Sequence, residues 1–295
     1  MSPTQPAPLI LRDHVIDAGH PAVMGIINRT PDSFYAPARY LDLDGGLACA
    51  QQMITDGADI VDVGGVRAGE DGDWVSEAAE IERVRPFLTV LRERFPELLI
   101  SLDTWRTEVA TACSGLFDLI NDTWAGADPE LAFVAAREGA GYVVSHTGGL
   151  PPRTDPDGID YGPGDAVVDA VLGSLAADAR RALDAGVAKE AILLDPTLDF
   201  GKTTMNSLRL VATTERVVAL GYPVLQAISR KDFVGETLDL DIDERLEGTL
   251  AATAVAAWQG ATVFRAHDVR ATRRVLDMVA SIRGDRPPAK SERGR

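Results

Sequence analysis

Polar residues that could do chemistry recur at one kind of position in this chain, directly after short apolar runs. The clearest run, residues 23–27, predicts a buried strand and turns polar at Asn28. The Pro31-Asp32-Ser33 segment that follows breaks a strand and favours a turn. The same change from apolar to polar recurs along the chain, at Gly64-Gly65, Asp103, Asn121, His146, Asp195, Lys231, Arg265 and His267.

Taken together, these residue types suit the capture of a flat, nitrogen-rich heterocycle with an anionic tail. A buried carboxylate accepts two parallel N–H bonds from an aminopyrimidinone edge, as it does from a guanidinium. An Asn supplies a donor and an acceptor to ring nitrogens, and a Lys can donate to a ring carbonyl. Arg265 and His267 lie two positions apart at a strand end, and with Asn28 they suit a diphosphate and its Mg²⁺.

Each of these residues also has a purely structural interpretation. Asp103 could cap a helix over residues 106–115, and Asp195 precedes a proline in a turn-forming dipeptide. His146 is interpreted as a buried core histidine with its hydrogen bonds satisfied. For the set as a whole the functional interpretation is favoured, because catalytic groups in parallel barrels come from strand ends.

The elements that must position these residues alternate between strand and helix. Apolar runs predict strands over 22–28, 58–63, 98–102, 117–120, 141–145, 191–194, 223–228 and 261–264. Helical spacing predicts helices over 44–56, 77–94, 106–115, 128–138, 165–185, 206–220, 243–259 and 269–283. Eight such units predict a (β/α)8 TIM barrel, preceded by a short hairpin over residues 9–20. A doubly wound open sheet is the alternative, but no G-x-G-x-x-G opens a helix near the N-terminus.

Composition limits the classes of partner and compartment. With 45% hydrophobic residues, a chain of 295 residues can bury one large core, and we expect a single domain over 1–284 and a disordered tail over 285–295. The formal charge of −16 argues against nucleic acid and anionic membranes as general partners, although not against an anionic small molecule. Two cysteines without metal-ligand spacing, and a start without signal-peptide features, predict a cytoplasmic protein.

With these residues in hand, the chain resembles the dihydropteroate synthase family from residue 21 to residue 282. The motifs that carry the resemblance are MGIINRTPDSF, ADIVDVGG, SLDT, LINDT, LLDPTLDFGK, SRKDFVG and FRAHDV. The resemblance implies a (β/α)8 barrel that forms homodimers and needs Mg²⁺. It also implies a reaction of folate biosynthesis, in which 6-hydroxymethyl-7,8-dihydropterin diphosphate condenses with p-aminobenzoate and releases pyrophosphate.

The resemblance also assigns roles by position. It implies that the pterin contacts are Asp103, Asn121, Asp195, Phe200, Lys231 and Arg265. Phe200 matches the aromatic residue beside the p-aminobenzoate path. The implied diphosphate contacts are Asn28, Arg265 and His267, with Asn28 also on the Mg²⁺, and the implied catalytic residues are Lys231, Arg265 and His267.

The sequence departs from the family where the second substrate would bind. The acidic residue of the family's first loop falls on Ala36, and the Thr and Arg of its second loop fall on Ala68 and Gly69, with Arg67 nearby. The family's Ser after the lysine, which binds the p-aminobenzoate carboxylate, is Asp232 here. Two like charges about 4 Å apart repel by about 1 kcal/mol in water and about 4 kcal/mol near a protein surface. We therefore expect p-aminobenzoate to be used poorly.

Three hypotheses follow. The chain is a weak dihydropteroate synthase, or a pterin-binding paralogue without synthase activity that has a regulatory or other role, or a transferase that uses a neutral or cationic amine. The second resembles the divergent second synthase copy that some bacteria carry. The methyltetrahydrofolate-dependent methyltransferases share pterin recognition, but SRKDFVG and FRAHDV match the synthase pattern better.

Overall fold

Eight parallel strands form the central sheet of the computed structural model, which describes residues 6–30, 42–66, 74–152 and 159–293. A two-stranded antiparallel hairpin, β1 (Leu9–Leu11) and β2 (His14–Ile16), precedes the sheet. The parallel strands are β3 (Ala22–Asn28), β4 (Ile60–Gly64), β5 (Leu99–Asp103), β6 (Leu119–Asn121), β7 (Gly141–Ser145), β8 (Ile192–Asp195), β9 (Leu225–Gln226) and β10 (Val263–Ala266).

The sheet closes into a barrel. Its strand order is β8-β7-β6-β5-β4-β3-β10-β9. The two end strands meet through a parallel bridge between Leu194 and Val224, where the Leu194 N–H donates to the Pro223 carbonyl at 2.9 Å. The predicted (β/α)8 barrel and its N-terminal hairpin are therefore confirmed.

Helices connect the strands on the outside of the barrel. They are α1 (Leu43–Asp56), α2 (Glu77–Arg94), α3 (Thr107–Ala112), α4 (Leu131–Glu138), α5 (Ala166–Asp184), α6 (Thr204–Ala212), α7 (Thr214–Val218), α8 (Asp232–Leu238), α9 (Leu246–Trp258) and α10 (Val269–Arg283). Short 3-10 turns lie at Lys189–Ala191 and Ile242–Glu244. Across the described ranges, no helix is both long and apolar enough to cross a membrane.

Two connections differ from the sequence prediction. The single helix predicted over 206–220 is divided into α6 and α7 at Thr213. The Thr213 hydroxyl bonds to the Arg209 carbonyl and the Thr214 hydroxyl to the Val211 carbonyl, and such side-chain bonds compete with the helix backbone. The strand predicted over 223–228 is reduced to β9, and an unpredicted helix, α8, begins at Asp232.

The hairpin seals the barrel at the amino ends of the strands. Gly141 opens β7, and a Cβ atom at this position would lie only 2.5 Å from Cδ2 of Leu11. Leu9 and Leu11 are buried, so the hairpin adds apolar cover at this end. The hairpin does not cover the opposite end of the barrel, where the carboxyl ends of the strands carry the candidate site residues.

Beyond α10 the chain has no helix or strand up to residue 293. The Asp285 N–H donates to the Ala280 carbonyl at 2.9 Å, and Arg286 pairs with Asp277 at 2.5 Å. The domain limits 1–284 and the disordered tail remain predictions.

Candidate active site

Strand register places four of the motif positions side by side at the carboxyl ends of the strands. Asn28 is opposite Gly64, Gly64 opposite Asp103, and Asp103 opposite Asn121. A Cβ atom at Gly64 would lie 3.4 Å from Oδ2 of Asp103, so the glycine leaves room for that carboxylate. These residues form one layer around the barrel mouth, as the strand-end pattern predicts.

Arg265 joins Asp103 of this layer to a second carboxylate, Asp62, which lies two residues before Gly64 on β4. Its Nε donates to Oδ2 of Asp62 at 2.6 Å, and its Nη2 donates to Oδ2 of Asp103 at 3.0 Å. Asp62 also accepts bonds from Asn121 Nδ2 at 3.2 Å and from Ser101 Oγ at 2.6 Å. Three predicted site residues, Asp103, Asn121 and Arg265, are thereby held in one network.

Asp62 is the member of this network that sequence reasoning missed. It lies inside the apolar run of β4 and is fully buried. A buried carboxylate is costly unless it is paired and hydrogen-bonded. An acidic residue in the middle of a buried strand was therefore the signal that could have identified it.

The structural alternative for Asp103 is wrong. Helix α3 begins at Thr107, and its N-cap residue is Arg106, without a side-chain cap bond. The Asp103 carboxylate instead accepts bonds from Arg265 and from Thr123 Oγ1 at 3.2 Å. Burial and then the Asp62 carboxylate raise the pKa of Asp103 to about 7, against the opposing effect of Arg265.

A second cluster contains Lys231, Phe200 and Asp195. The Lys231 ammonium bonds to the Leu198 carbonyl and lies 5.0 Å from the centroid of the Phe200 ring. Oδ1 of Asp195 accepts the Thr197 N–H at 2.7 Å, so the turn interpretation of Asp195 holds alongside its place at the site. Burial lowers the pKa of Lys231, and it raises the pKa of Asp195.

The two clusters share one electrostatic environment. The Arg265 cation lowers the pKa values of both Asp195 and Lys231, after the larger effect of burial on each. Burial lowers the pKa of Arg265 itself, but the Asp62 and Asp103 carboxylates outweigh burial and raise it overall. The mouth therefore presents a permanent guanidinium between carboxylates that come from different strands.

His267 is positioned by Ser229. Its Nδ1 lies 3.0 Å from Ser229 Oγ, and its backbone N–H donates to the same oxygen at 3.1 Å. Burial, then the Arg265 and Arg230 cations, lower the pKa of His267 to about 3. At neutral pH this ring is uncharged, so it offers a phosphate a hydrogen bond and not a positive charge.

Aromatic residues that sequence reasoning did not single out support Phe200. Its ring meets Trp124 edge-on at 5.5 Å between centroids, and Trp124 meets Trp105 edge-on at 6.4 Å. The guanidinium of Arg106 lies 4.6 Å from the centroid of the Trp105 ring. This row of rings fixes the direction of Phe200 at the mouth.

The buried ammonium of Lys202 holds the segment before α6. It donates to the carbonyls of His146 at 2.7 Å, Thr197 at 2.9 Å and Phe200 at 2.8 Å. Burial and then Lys231 lower the pKa of Lys202 to about 7. His146 is buried as predicted, but its Nδ1 has no hydrogen-bond partner among the described residues. The prediction of a core histidine is therefore confirmed for its burial but not for its hydrogen bonds.

Several residues of the two altered loops lie outside the described residues, namely Ala36, Arg67, Ala68 and Gly69. Asp232 is described, and it is the first residue of α8. Within the described ranges, no group of three or more His, Cys, Asp and Glu side chains could hold a metal ion by itself.

Comparison with known proteins assigns this arrangement to a family. Residues 24–267 match the family model described as pterin binding enzyme. This chain belongs to that family. The pterin-binding enzyme match begins in β3 and ends at His267, so it spans every strand of the barrel.

Individual relatives refine the family assignment. A protein of Mycobacterium leprae named inactive dihydropteroate synthase 2 is 51% identical over 281 residues, covering 95% of this chain and 96% of that protein. Dihydropteroate synthase of Bacillus subtilis is 38% identical over 265 residues and covers 88% of both chains. The structure of a Coxiella burnetii dihydropteroate synthase in complex with pteroic acid superposes with a TM-score of 0.83 at 32% identity, covering 95% and 99% of the two chains. The predicted dihydropteroate synthase resemblance is therefore confirmed, including the resemblance to a divergent second copy.

Proposed function

We propose that this pterin-binding protein holds 6-hydroxymethyl-7,8-dihydropterin diphosphate at the barrel mouth and condenses it with p-aminobenzoate weakly or not at all. The observation that carries the proposal is the Asp62–Arg265–Asp103 bridge with Asn121 beside it, at 2.6 to 3.2 Å. A carboxylate and an amide held in this way are preorganised for an aminopyrimidinone edge. The relatives named inactive favour little or no condensation.

The remaining site residues have complementary roles in this proposal. Asp195 and Lys231 hold the other edge of the pterin, and Phe200 lines the path of the second substrate. Arg265 and His267 hold the diphosphate. In the reaction, the bond between the pterin's methylene carbon and the diphosphate oxygen breaks, and its electron pair leaves with pyrophosphate. The electron-rich pterin stabilises the resulting carbon cation. The amine nitrogen then bonds to that carbon and loses a proton to water. Preorganised charges serve such a step better than a strong base.

Mg²⁺ fits the proposal through Asn28. This residue ends β3, in register with Gly64, and the Arg29 N–H donates to the Gly64 carbonyl at 2.8 Å, which fixes the strand end. An amide oxygen is a ligand type that Mg²⁺ accepts. When bound, the ion would neutralise charge on the diphosphate, and Asn28 would hold it at the mouth.

The test of this function separates binding from turnover. Calorimetry with the pterin diphosphate and Mg²⁺ is expected to show binding. Pyrophosphate release on addition of p-aminobenzoate is expected to be slower by about a hundredfold or more than with the Bacillus subtilis synthase assayed in parallel, corresponding to about 2.7 kcal/mol. Absence of pterin binding would refute the proposal, and release at the rate of the Bacillus subtilis enzyme would show a full synthase.

Affinity for the pterin is expected to fall as the pH drops below about 7. The ionised Asp103 accepts two N–H bonds, whereas its protonated form has lost part of that capacity. Because the pKa of Asp103 is about 7, binding below that pH must displace a proton, and affinity falls by up to about tenfold per pH unit. His267, with a pKa of about 3, does not titrate in this range.

The measurement uses 6-hydroxymethylpterin, because the diphosphate itself titrates near neutral pH. Calorimetry in two buffers of different ionisation enthalpy is expected to show proton release at about pH 6 and none at about pH 8. Equal affinities at both pH values, with no proton release, would show that Asp103 is not the pterin acceptor.

We also propose that the chain forms a homodimer through α9 and α10, in the cytoplasm as its composition predicts. Val255 and Trp258 on α9, and Met278 and Ile282 on α10, expose about half or more of their surface. Arg283 joins the ends of the two helices, because its Nη1 donates to the Trp258 carbonyl at 2.7 Å. Neighbouring exposed apolar side chains are typical of a protein interface.

Sedimentation velocity is expected to give the mass of a dimer, and Trp258→Glu is expected to weaken dimerisation by at least about tenfold, because a hot-spot aromatic residue contributes about 2 kcal/mol or more. Met205 on α6 is exposed to a similar degree, at 73%, so Met205→Glu is the matched control. A monomeric wild-type protein, or equal effects of the two variants, would contradict this interface.

A further inference from the structure

Two carboxylates lie at the start of α8, namely that of Asp232 and that of Asp199, which contacts the helix backbone there. Oδ2 of Asp199 accepts the backbone N–H of Asp232 at 2.8 Å and that of Phe233 at 3.5 Å. Its Oδ1 accepts a bond from Ser207 Oγ at 3.2 Å. The backbone N–H of residue 232 is therefore already bound to a carboxylate of this chain and is not free to receive another one.

Asp232 is in a different environment. Its side chain is 79% exposed and pairs with Arg245, whose Nη1 lies 2.7 Å from Oδ1. Arg245 is largely buried and also donates to the Arg230 carbonyl at 3.0 Å, so the cation is held in place. The charge of Asp232 is compensated and faces solvent. It is therefore a weaker barrier to an anionic ligand than its sequence position predicts.

Lys231 carries a charge that already interacts with two carboxylates of this chain, Asp199 and Asp195. Its pKa is lowered by burial and raised by Asp199 and Asp195, which places the ammonium in the field of two carboxylates. Burial raises the pKa of Asp199, and Lys231 opposes this rise. A ligand carboxylate here would be a third anion beside Asp195 and Asp199. Its repulsion by them would oppose its attraction to the buried cations Lys231 and Lys202.

We propose that Asp199 is a specificity-determining residue, whose carboxylate excludes a second ligand that carries a carboxylate and favours a neutral or cationic aromatic amine. This inference rests on the proposed function, which puts the second substrate against Phe200, and on the family resemblance, which puts its carboxylate at residue 232. Phe200, backed by Trp124 at 5.5 Å, supplies the aromatic contact, and Asp199 selects by charge. Asp199, which is half-buried, thereby takes the discriminating role that sequence reasoning assigned to Asp232.

The backbone of Asp199 makes a clean test possible. Its φ of +71° lies in the left-handed region, which glycine adopts more readily than a residue with a Cβ atom. Asp199→Gly removes the carboxylate without imposing a new backbone conformation. Asp199→Asn is a second variant, which keeps an oxygen acceptor for the Asp232 N–H and removes only the charge.

Three planar probes of similar shape isolate the effect of charge, namely p-aminobenzoate, p-aminobenzamide and p-aminobenzamidine. Each is titrated calorimetrically with and without 6-hydroxymethylpterin. The wild-type protein is expected to prefer the amide and the amidine over the carboxylate by at least about tenfold, or about 1.4 kcal/mol. Asp199→Gly and Asp199→Asn are expected to reduce this ratio by about tenfold, and the control Asp232→Asn by less than about threefold.

The ratio between probes distinguishes specificity from a helix-capping role, because loss of a cap lowers stability and affects all three probes alike. Equal binding of the carboxylate and the amide by the wild type would overturn the inference. So would a larger change in Asp232→Asn than in Asp199→Gly, or failure of all three probes to bind. The pterin titration without any amine is read separately, so a failure of the proposed function is distinguished from a failure of this inference.

Discussion

Arg265→Met is expected to destabilise the fold by about 3–5 kcal/mol and to abolish pterin binding. The guanidinium pairs with Asp62 at 2.6 Å and with Asp103 at 3.0 Å, and Asp62 is fully buried. Methionine fills much of the same volume but leaves both carboxylates without their cation. Removal of one partner from a buried ion pair has a cost of this size. Urea unfolding at about pH 7.5, followed by circular dichroism, measures the loss.

Two further variants test the cause. Arg265→Met combined with Asp62→Asn is expected to recover at least about 1–2 kcal/mol, because the buried charge is gone while an acceptor for Ser101 remains. Arg270 is a matched control, since its side chain is 64% exposed and pairs with Asp56 at 3.0 Å. Arg270→Met is expected to change stability by less than about 1 kcal/mol. Equal unfolding midpoints for Arg265→Met and Arg270→Met would show that the bridge contributes nothing.

The bridge also shows where sequence reasoning reached its limit. Apolar runs followed by Asp103 and Asn121 predicted strands and their carboxyl ends, because strand burial depends on local residue type. The pairing of Arg265 with Asp62 joins residues 203 positions apart. No local sequence pattern encodes such a contact. It forms only in the folded barrel, where β10 pairs with β3 and β3 pairs with β4, the strand that carries Asp62.

The start of α8 is a second case of the same kind. The SRKDFVG motif drew attention to Lys231 and Asp232, and charge counting at residue 232 predicted repulsion of p-aminobenzoate. Counting charges along the chain could not show that Arg245 compensates Asp232, or that Asp199 binds the backbone N–H of residue 232. Both lines of reasoning predict poor use of p-aminobenzoate, but the proposed cause is Asp199 and not Asp232.

Asp103→Asn is expected to weaken binding of 6-hydroxymethylpterin by about a hundredfold to a thousandfold. In the proposed site the carboxylate accepts two N–H bonds from the pterin, whereas the amide of Asn offers one acceptor oxygen and a donor that meets the ligand's own donors. Loss of one partner of a buried, hydrogen-bonded charge pair costs about 2–5 kcal/mol. The fold is expected to persist, because the amide is nearly isosteric and the acid is already half protonated near pH 7, where its pKa lies.

Asp118 provides the control for this prediction. Its carboxylate is buried, but it lies immediately before the amino end of β6, where it pairs with Arg92 at 2.6 Å and accepts the Ile100 N–H at 2.8 Å. Asp118→Asn is expected to lower stability and to leave pterin affinity within about twofold, because the barrel separates it from the mouth. Calorimetric titration of both folded variants decides the matter. Unchanged affinity in Asp103→Asn, or equal losses in the two variants, would mean that the pterin is not held by the carboxylate at the end of β5.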